Sequence, residues 1–217
     1  ALVFDVIRGT DPDDPTTRAS AFNYLSNSDL KSLKIGYMAG AFEGRAQDSL
    51  TLIEIKNLGV NIEPVAFPEE FPVWAMSIIL ASEASAAFDA LTRSEKDNLM
   101  VRQDKGAWPN YFRSARFIPA TDYVNANRIR TQLIKSLNDA LKDYDVIIAP
   151  SFSRQLVMTN LTGHPCLVLP NGFTENGSPT SITFLANYMD EASLIRLGEA
   201  YQDATDYDDK HPEMFVK

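Results

Sequence analysis

One cysteine and two histidines occur in 217 residues, and each scarcity removes a class of chemistry. Cys166 has no partner for an internal disulfide, and its place in the apolar run "CLVL" reads as a buried, inert thiol. His164 and His211 cannot build a His-rich metal centre, and no metal or cofactor is expected. No apolar run approaches the ~20 residues needed to span a bilayer, and no signal peptide is visible. The compartment stays open, with the cytoplasm slightly favoured. Basic clusters are missing too. A net charge of -9 repels phosphate backbones, so no direct nucleic-acid partner is expected. The chain contains no G-x-S-x-G elbow, Walker loop, G-x-G-x-x-G or C-x-x-C, and no internal repeat or low-complexity segment.

What is present is a well-furnished core. Hydrophobic residues make up 45% of the chain and aromatics 10%, enough for one large or two small domains. "LKIGYM" (33–38) and "VNIEPVAF" (60–67) read as strands on either side of a helix over 46–59, a unit that favours parallel pairing. The stretch 73–92 is apolar nearly all round, which predicts a deeply buried helix and a buried partner for Glu83. An irregular to helical region over 99–120, broken at Gly106 and Pro109, precedes a long amphipathic helix over 121–144. Thr121 is its expected N-cap, and Tyr123, Ala126, Leu133, Leu137 and Leu141 mark its inner stripe. "DVIIAP" (145–150), 166–169 and 177–186 read as further strands, and Asp190 caps a last helix over 191–205. The order predicts an α/β fold with a mixed β-sheet covered by helices. The apolar helix over 1–9 has no N-cap and reads as cut, so the chain is expected to begin inside a larger protein.

The densest local signal is "TNLTGHPCLVLPNGF" (159–173). Pro165 suits a strand's first position, and Pro170 with Asn171-Gly172 should close that strand in a sharp turn. Gly163 is read as a place where backbone approaches something closely. Spacing alone leaves open whether this stretch floors a site or is plain scaffold. Neither His164, in a tight turn, nor His211, in a tail-like segment, is expected to act as a general base. The sequon Asn160-Leu161-Thr162 abuts the strand, which disfavours glycosylation.

From Asn160 onward the pattern resembles the C-terminal region of the amidase signature family. Asn160, Gly163, Pro165, Pro170, Gly172, Gly177, Pro179 and Glu191 stand in its positions. "LVFDVIRGTDPDDPTT", with Gly9, Asp11 and Asp14, looks like the segment that follows the family's catalytic core, and "LKIGY" and "DVIIAPSF" also match. The resemblance covers nearly the whole chain. It implies hydrolysis or transfer at a carboxamide by a Ser–Ser–Lys triad, in which lysine stands in for imidazole as base. In the family those residues lie in an N-terminal half rich in Gly and Ser. This chain holds neither a Gly-Gly nor a Ser-Ser pair, so no catalytic residue is expected in it and the chain alone should be inactive. Its expected partners are an N-terminal half of the same protein and a small-molecule amide.

The resemblance also suggests substrate-binding positions. Arg116 aligns loosely with an arginine that contacts substrate carboxylate in amidotransferase members; an ordinary salt bridge is the rival role. Gln155, Asn160 and Gly163 belong to the segment entering the buried strand, where the family lines its pocket; backbone capping is the rival for the two amides. Trp108 and Met158 are candidates for an acyl-pocket wall or for core filling. One departure stands out: Ser181 replaces a usual Gly, and the strand bearing it has no Gln. Two classes of function remain, an enzyme part (an amidase, or a subunit of a tRNA-dependent amidotransferase) and a non-catalytic binding module.

Overall fold

A computed structural model of the protein describes residues 1–24, 29–212 and 215, arranged as two compact units. The first comprises residues 1–67 and 137–217, the second residues 68–136.

The first unit is built on a five-stranded mixed sheet. After the short helix α1 (Leu2–Ile7), strand β1 (Ile35–Met38), helix α2 (Ala46–Asn57) and strand β2 (Ile62–Val65) form the expected parallel unit. Ile35 and Met38 of β1 and Val65 of β2 are buried, so burial rather than length holds these short strands.

Helices α3 (Ile78–Ala87), α4 (Asp89–Arg93) and α5 (Trp108–Ser114) belong to the second unit. Phe88 stacks on Phe112 at 4.7 Å, and the Ser85 hydroxyl donates to the Phe112 carbonyl at 2.8 Å. Arg113 reaches the buried Asp97 carboxylate at 2.6 Å. The expectation of one deeply buried helix over 73–92 is corrected here. Phe88 leaves helical geometry, splitting the run into α3 and α4, while Leu80 and Phe88 stay 58% and 48% exposed. Glu83 is likewise exposed, accepting a hydrogen bond from Tyr123 at 2.9 Å.

Helix α6 (Ala120–Leu141) carries the predicted stripe: Ala126, Leu133, Leu137 and Leu141 are buried, and Tyr123 is half-buried. Thr121 lies inside it rather than capping it, because the Pro119 carbonyl already accepts from Asp122 at 3.0 Å.

Strand β3 (Val146–Pro150) is buried at every position and sits at the sheet's centre, parallel to β1 and antiparallel to β5. Helix α7 (Arg154–Thr162) leads into strand β4 (Cys166–Phe173), which pairs antiparallel with β5 (Pro179–Ala186). The strand order is β2-β1-β3-β5-β4. Contrary to expectation, Pro170-Asn171-Gly172 does not close β4. It forms a bulge within the strand, and the turn comes later, where the Gly177 amide donates to the Thr174 carbonyl at 2.9 Å.

Helix α8 (Glu191–Ala204) starts at Asp190, whose carboxylate accepts from the Ser193 amide and hydroxyl at 3.3 and 2.9 Å. Its Leu194, Leu197 and Tyr201 join Ile55 of α2 against Ile148, Ile182 and Phe184 of the sheet, forming the core of this unit. Gly198 allows close approach, since a Cβ there would lie 2.5 Å from Leu167 Cδ2. Tyr201 and Tyr207 both donate to Glu54, at 3.2 and 2.7 Å, tying α2 to α8 and the segment beyond it.

Candidate functional site

The segment over 150–166 folds as a helix between two strands, which sequence reasoning missed. Helix α7 has β-branched Val157, Thr159 and Thr162 among nine residues, and so little intrinsic preference. The legible signals were Ser153 at its N-cap and Gly163 at its end. Gly163 has φ 83° and ψ 16°, the left-handed geometry of a C-cap, and its amide donates to the Thr159 carbonyl at 2.7 Å. A Cβ at Gly163 would meet nothing nearer than Tyr188 Cε1 at 3.8 Å. The backbone angle favours glycine here, and among the described residues nothing crowds the missing Cβ.

Around that cap lies a polar cluster. Gln155, 1% exposed, donates to the Thr159 hydroxyl at 3.2 Å and faces Cys166 Sγ at 3.4 Å. The Thr159 hydroxyl donates in turn to the Gln155 carbonyl at 3.1 Å. The Thr162 hydroxyl lies 2.9 Å from the Met158 carbonyl and 2.8 Å from His164 Nδ1. With the Thr162 proton on the Met158 carbonyl, Nδ1 donates to the hydroxyl; with it on Nδ1, the ring accepts. Among the described residues, neither the buried His164 Nε2 nor the buried Gln155 Oε1 has a hydrogen-bond partner. The His164 ring stacks on Tyr188 with centroids 4.3 Å apart, and the Tyr188 hydroxyl donates to the Thr162 carbonyl.

Burial pulls the His164 pKa down to about 4, so the ring is neutral at physiological pH. Burial also raises Cys166, against hydrogen bonds from Thr159 and Gln155, and keeps it a thiol. Cys166 is nonetheless exposed as a residue, which corrects the buried strand expected around it. The cluster orients α7 and the entry to β4; it contains no nucleophile–base pair able to cleave a bond. Among the described residues no group of three or more His, Cys, Asp or Glu is placed to hold a metal ion.

The other end of α7 holds a different feature. Phe152, just past the carboxyl end of β3, is 82% exposed with φ 57°, and Met189 before α8 has φ 64°. Left-handed geometry in non-glycine residues costs energy and concentrates where a loop is held for a purpose.

The four substrate-binding candidates are placed as follows. Gln155, Asn160 and Gly163 share α7 and its cap. Asn160 is exposed on the last turn, and its side chain makes no hydrogen bond to the described residues, so it does not tie the segment down. Arg116 belongs to the second unit, where it is ion-paired with Asp89 at 2.7 Å; Arg93 reaches the same carboxylate at 2.6 Å. Met158 is fully buried, while Trp108 is half exposed and stacks on Phe112 at 5.7 Å.

Comparison with known proteins agrees with this architecture. The Amidase family model matches residues 1–158. A glutamyl-tRNA(Gln) amidotransferase subunit from Oceanobacillus iheyensis is 26% identical over 99% of this chain and 54% of its own length. The corresponding protein of Lysinibacillus sphaericus is 28% identical over the same shares. Among solved structures, the peptide amidase of Stenotrophomonas maltophilia superposes with a TM-score of 0.74 at 19% identity, covering 96% of this chain and 51% of its own. A bacterial aryl acylamidase gives 0.77 at 17% identity, with the same coverage. The chain thus spans about half the length of the relatives it matches. With its mixed five-stranded sheet and the family pattern over most of its length, the chain belongs to the amidase signature family.

Proposed function

We propose that this chain is the C-terminal part of a hydrolase that cleaves a carboxamide C–N bond, with its Ser–Ser–Lys triad in the part of the family fold that the chain does not span. The observation that carries this reading is the Amidase match over residues 1–158 combined with coverage of only about half of each relative. In the assembled enzyme a serine attacks the amide carbonyl, a second serine relays its proton, and an uncharged lysine takes it up. The lysine returns that proton through the second serine to the nitrogen, so the amine leaves neutral, and water then cleaves the acyl-serine ester to release the acid. This chain supplies sheet strands and the α7 segment. Asn160, with an exposed and unengaged amide, faces substrate, while Gln155 and Gly163 hold α7 and its cap in place. Arg116 binds a substrate carboxylate only if its pairing with Asp89 opens.

A second reading follows from the two amidotransferase relatives, at 26% and 28% identity. One assay set separates the two. Hydrolysis of aryl amides by the assembled enzyme, blocked by a serine-directed phosphonate, supports an amidase. Glutamine-dependent conversion of glutamyl-tRNA supports the amidotransferase reading. Turnover by the purified 217-residue chain alone would overturn the placement of the triad outside it.

A further inference from the structure

The dipeptide Asn-Gly occurs twice in the chain, at Asn171-Gly172 and at Asn176-Gly177. Such pairs share an intrinsic chemical weakness. A following residue without a side chain lets its backbone nitrogen reach the Asn carboxamide carbon. The fold places the two pairs in opposite surroundings.

Asn171 is fully buried in the bulge of β4. Its carboxamide donates to the Asp48 carboxylate at 2.9 Å, and its main-chain carbonyl accepts from Gln47. The Gln47 side chain also fills the space beside Gly172, where an added Cβ would lie 2.6 Å from Nε2. Attack on this carboxamide needs room for a tetrahedral carbon and for water, so α2 and the sheet must first separate.

Asn176 stands instead on the turn between β4 and β5, exposed between exposed Glu175 and Gly177. Its carboxamide makes no hydrogen bond to the described residues and is free to rotate toward Gly177. An open cavity of about 560 Å³, lined in part by Phe173, Glu175 and His211, brings water to the turn. The Gly177 amide is held by a single bond, to the Thr174 carbonyl at 2.9 Å, on a turn tip where local opening is easy.

We propose that Asn176 is a site of spontaneous deamidation, while Asn171 is preserved by its burial. The Gly177 nitrogen attacks Asn176 Cγ and forms a C–N bond, closing a succinimide ring. The Cγ–Nδ2 bond breaks, the Gly177 proton passes through solvent to the leaving nitrogen, and ammonia departs. Water then opens the ring. Cleavage at Cγ gives aspartate, and cleavage at the Asn176 main-chain carbonyl gives isoaspartate. The balance is one water consumed and one ammonia released, with no change of oxidation state. Either product adds a negative charge beside Glu175. The isoaspartyl form also inserts a backbone carbon between Thr174 and the Gly177 and Ser178 amides, which disturbs the spacing of the turn bonds.

The test ages the full polypeptide in heavy-oxygen water at mildly alkaline pH, where more of the attacking nitrogen is deprotonated, and locates the label by fragment-ion mass mapping. Label and the mass gain of amide-to-acid exchange should appear at residue 176 about tenfold or more ahead of residue 171. In denaturant the two pairs should react at comparable rates. Comparable rates in the native protein, or an unlabelled residue 176, overturn the proposal. A residue 171 that stays inert in denaturant overturns the role given to burial. Asn176→Gln, whose extra methylene disfavours ring closure, should remove the main acidic charge variant on ion exchange. Persistence of that variant at the parental rate overturns the assignment to Asn176.

Discussion

Replacing Gly163 isolates a backbone angle from every other contribution. Its φ of 83° lies where an L-residue pays roughly 1–2 kcal/mol, mainly for Cβ against its own carbonyl. Space is not the issue, with the nearest neighbour of an added Cβ at 3.8 Å, and the cap bond to Thr159 needs only the amide. Loss of glycine's freedom in the unfolded chain returns roughly 0.4–1 kcal/mol. Gly163→Ala should therefore destabilise the first unit by about 1 kcal/mol, and Gly163→Asn by less, because Asn tolerates this region. Both tryptophans, Trp74 and Trp108, belong to the second unit, so intrinsic fluorescence reports the wrong part of the chain. Hydrogen exchange at the β3 amides reads the sheet directly. About 1 kcal/mol corresponds to roughly fivefold less protection there. An alanine variant with parental protection, or an asparagine variant no better than alanine, would refute the reasoning.

Other expectations follow from buried groups. Burial lowers the His164 pKa from 6.5 to about 4, so the unfolded chain takes up the proton first. That contribution is complete above ~6.5 and is lost as pH falls toward ~4, by at most ~3 kcal/mol. His164→Phe, which keeps a ring against Tyr188, should flatten the slope of stability between about pH 6.5 and 4.5; an unchanged slope rules the assignment out. Leu197→Ala empties a fully buried position between α8 and the sheet and should cost ~2–5 kcal/mol by the same exchange measurement. Arg113→Met leaves the Asp97 carboxylate, 2% exposed, without its ion pair. Discounted for the partial exposure of Arg113, the loss should be ~2–3 kcal/mol, seen as an earlier fluorescence transition of the second unit. A midpoint equal to the parent's would show that Asp97 is satisfied without Arg113.

Elements with strong local signals are legible from the residues alone. The run "DVIIAP" is apolar at nearly every position because β3 is covered on both faces, and α6 announces itself through a 3.6-residue stripe that ends buried. Helix α7 was not legible because its helical period is weak and three of its residues prefer strands; its Gly163 cap and the packing of its buried residues hold the conformation. Of the candidate positions, Gly163 carries a left-handed backbone angle that its sequence context did not announce, and His164, expected only not to act as a general base, is a buried ring stacked on Tyr188. His164→Ala should therefore cost stability through the cavity it leaves.

The amino-acid sequence by itself determined the α/β class, the strand runs, the major helix over 120–141 and the family resemblance, because those depend on local periodicity and on punctuation by Gly and Pro. Only the tertiary structure decided which way the residues of β4 face. Sheet register is set by pairing with β5, where Cys166 stands opposite Leu185, and a shift by one residue would have turned Cys166 and Val168 inward. Packing likewise fixed the stacking of His164 on Tyr188, the burial of Gln155 and the capture of Arg116 by Asp89, since each depends on groups brought together in space and not by adjacency in sequence.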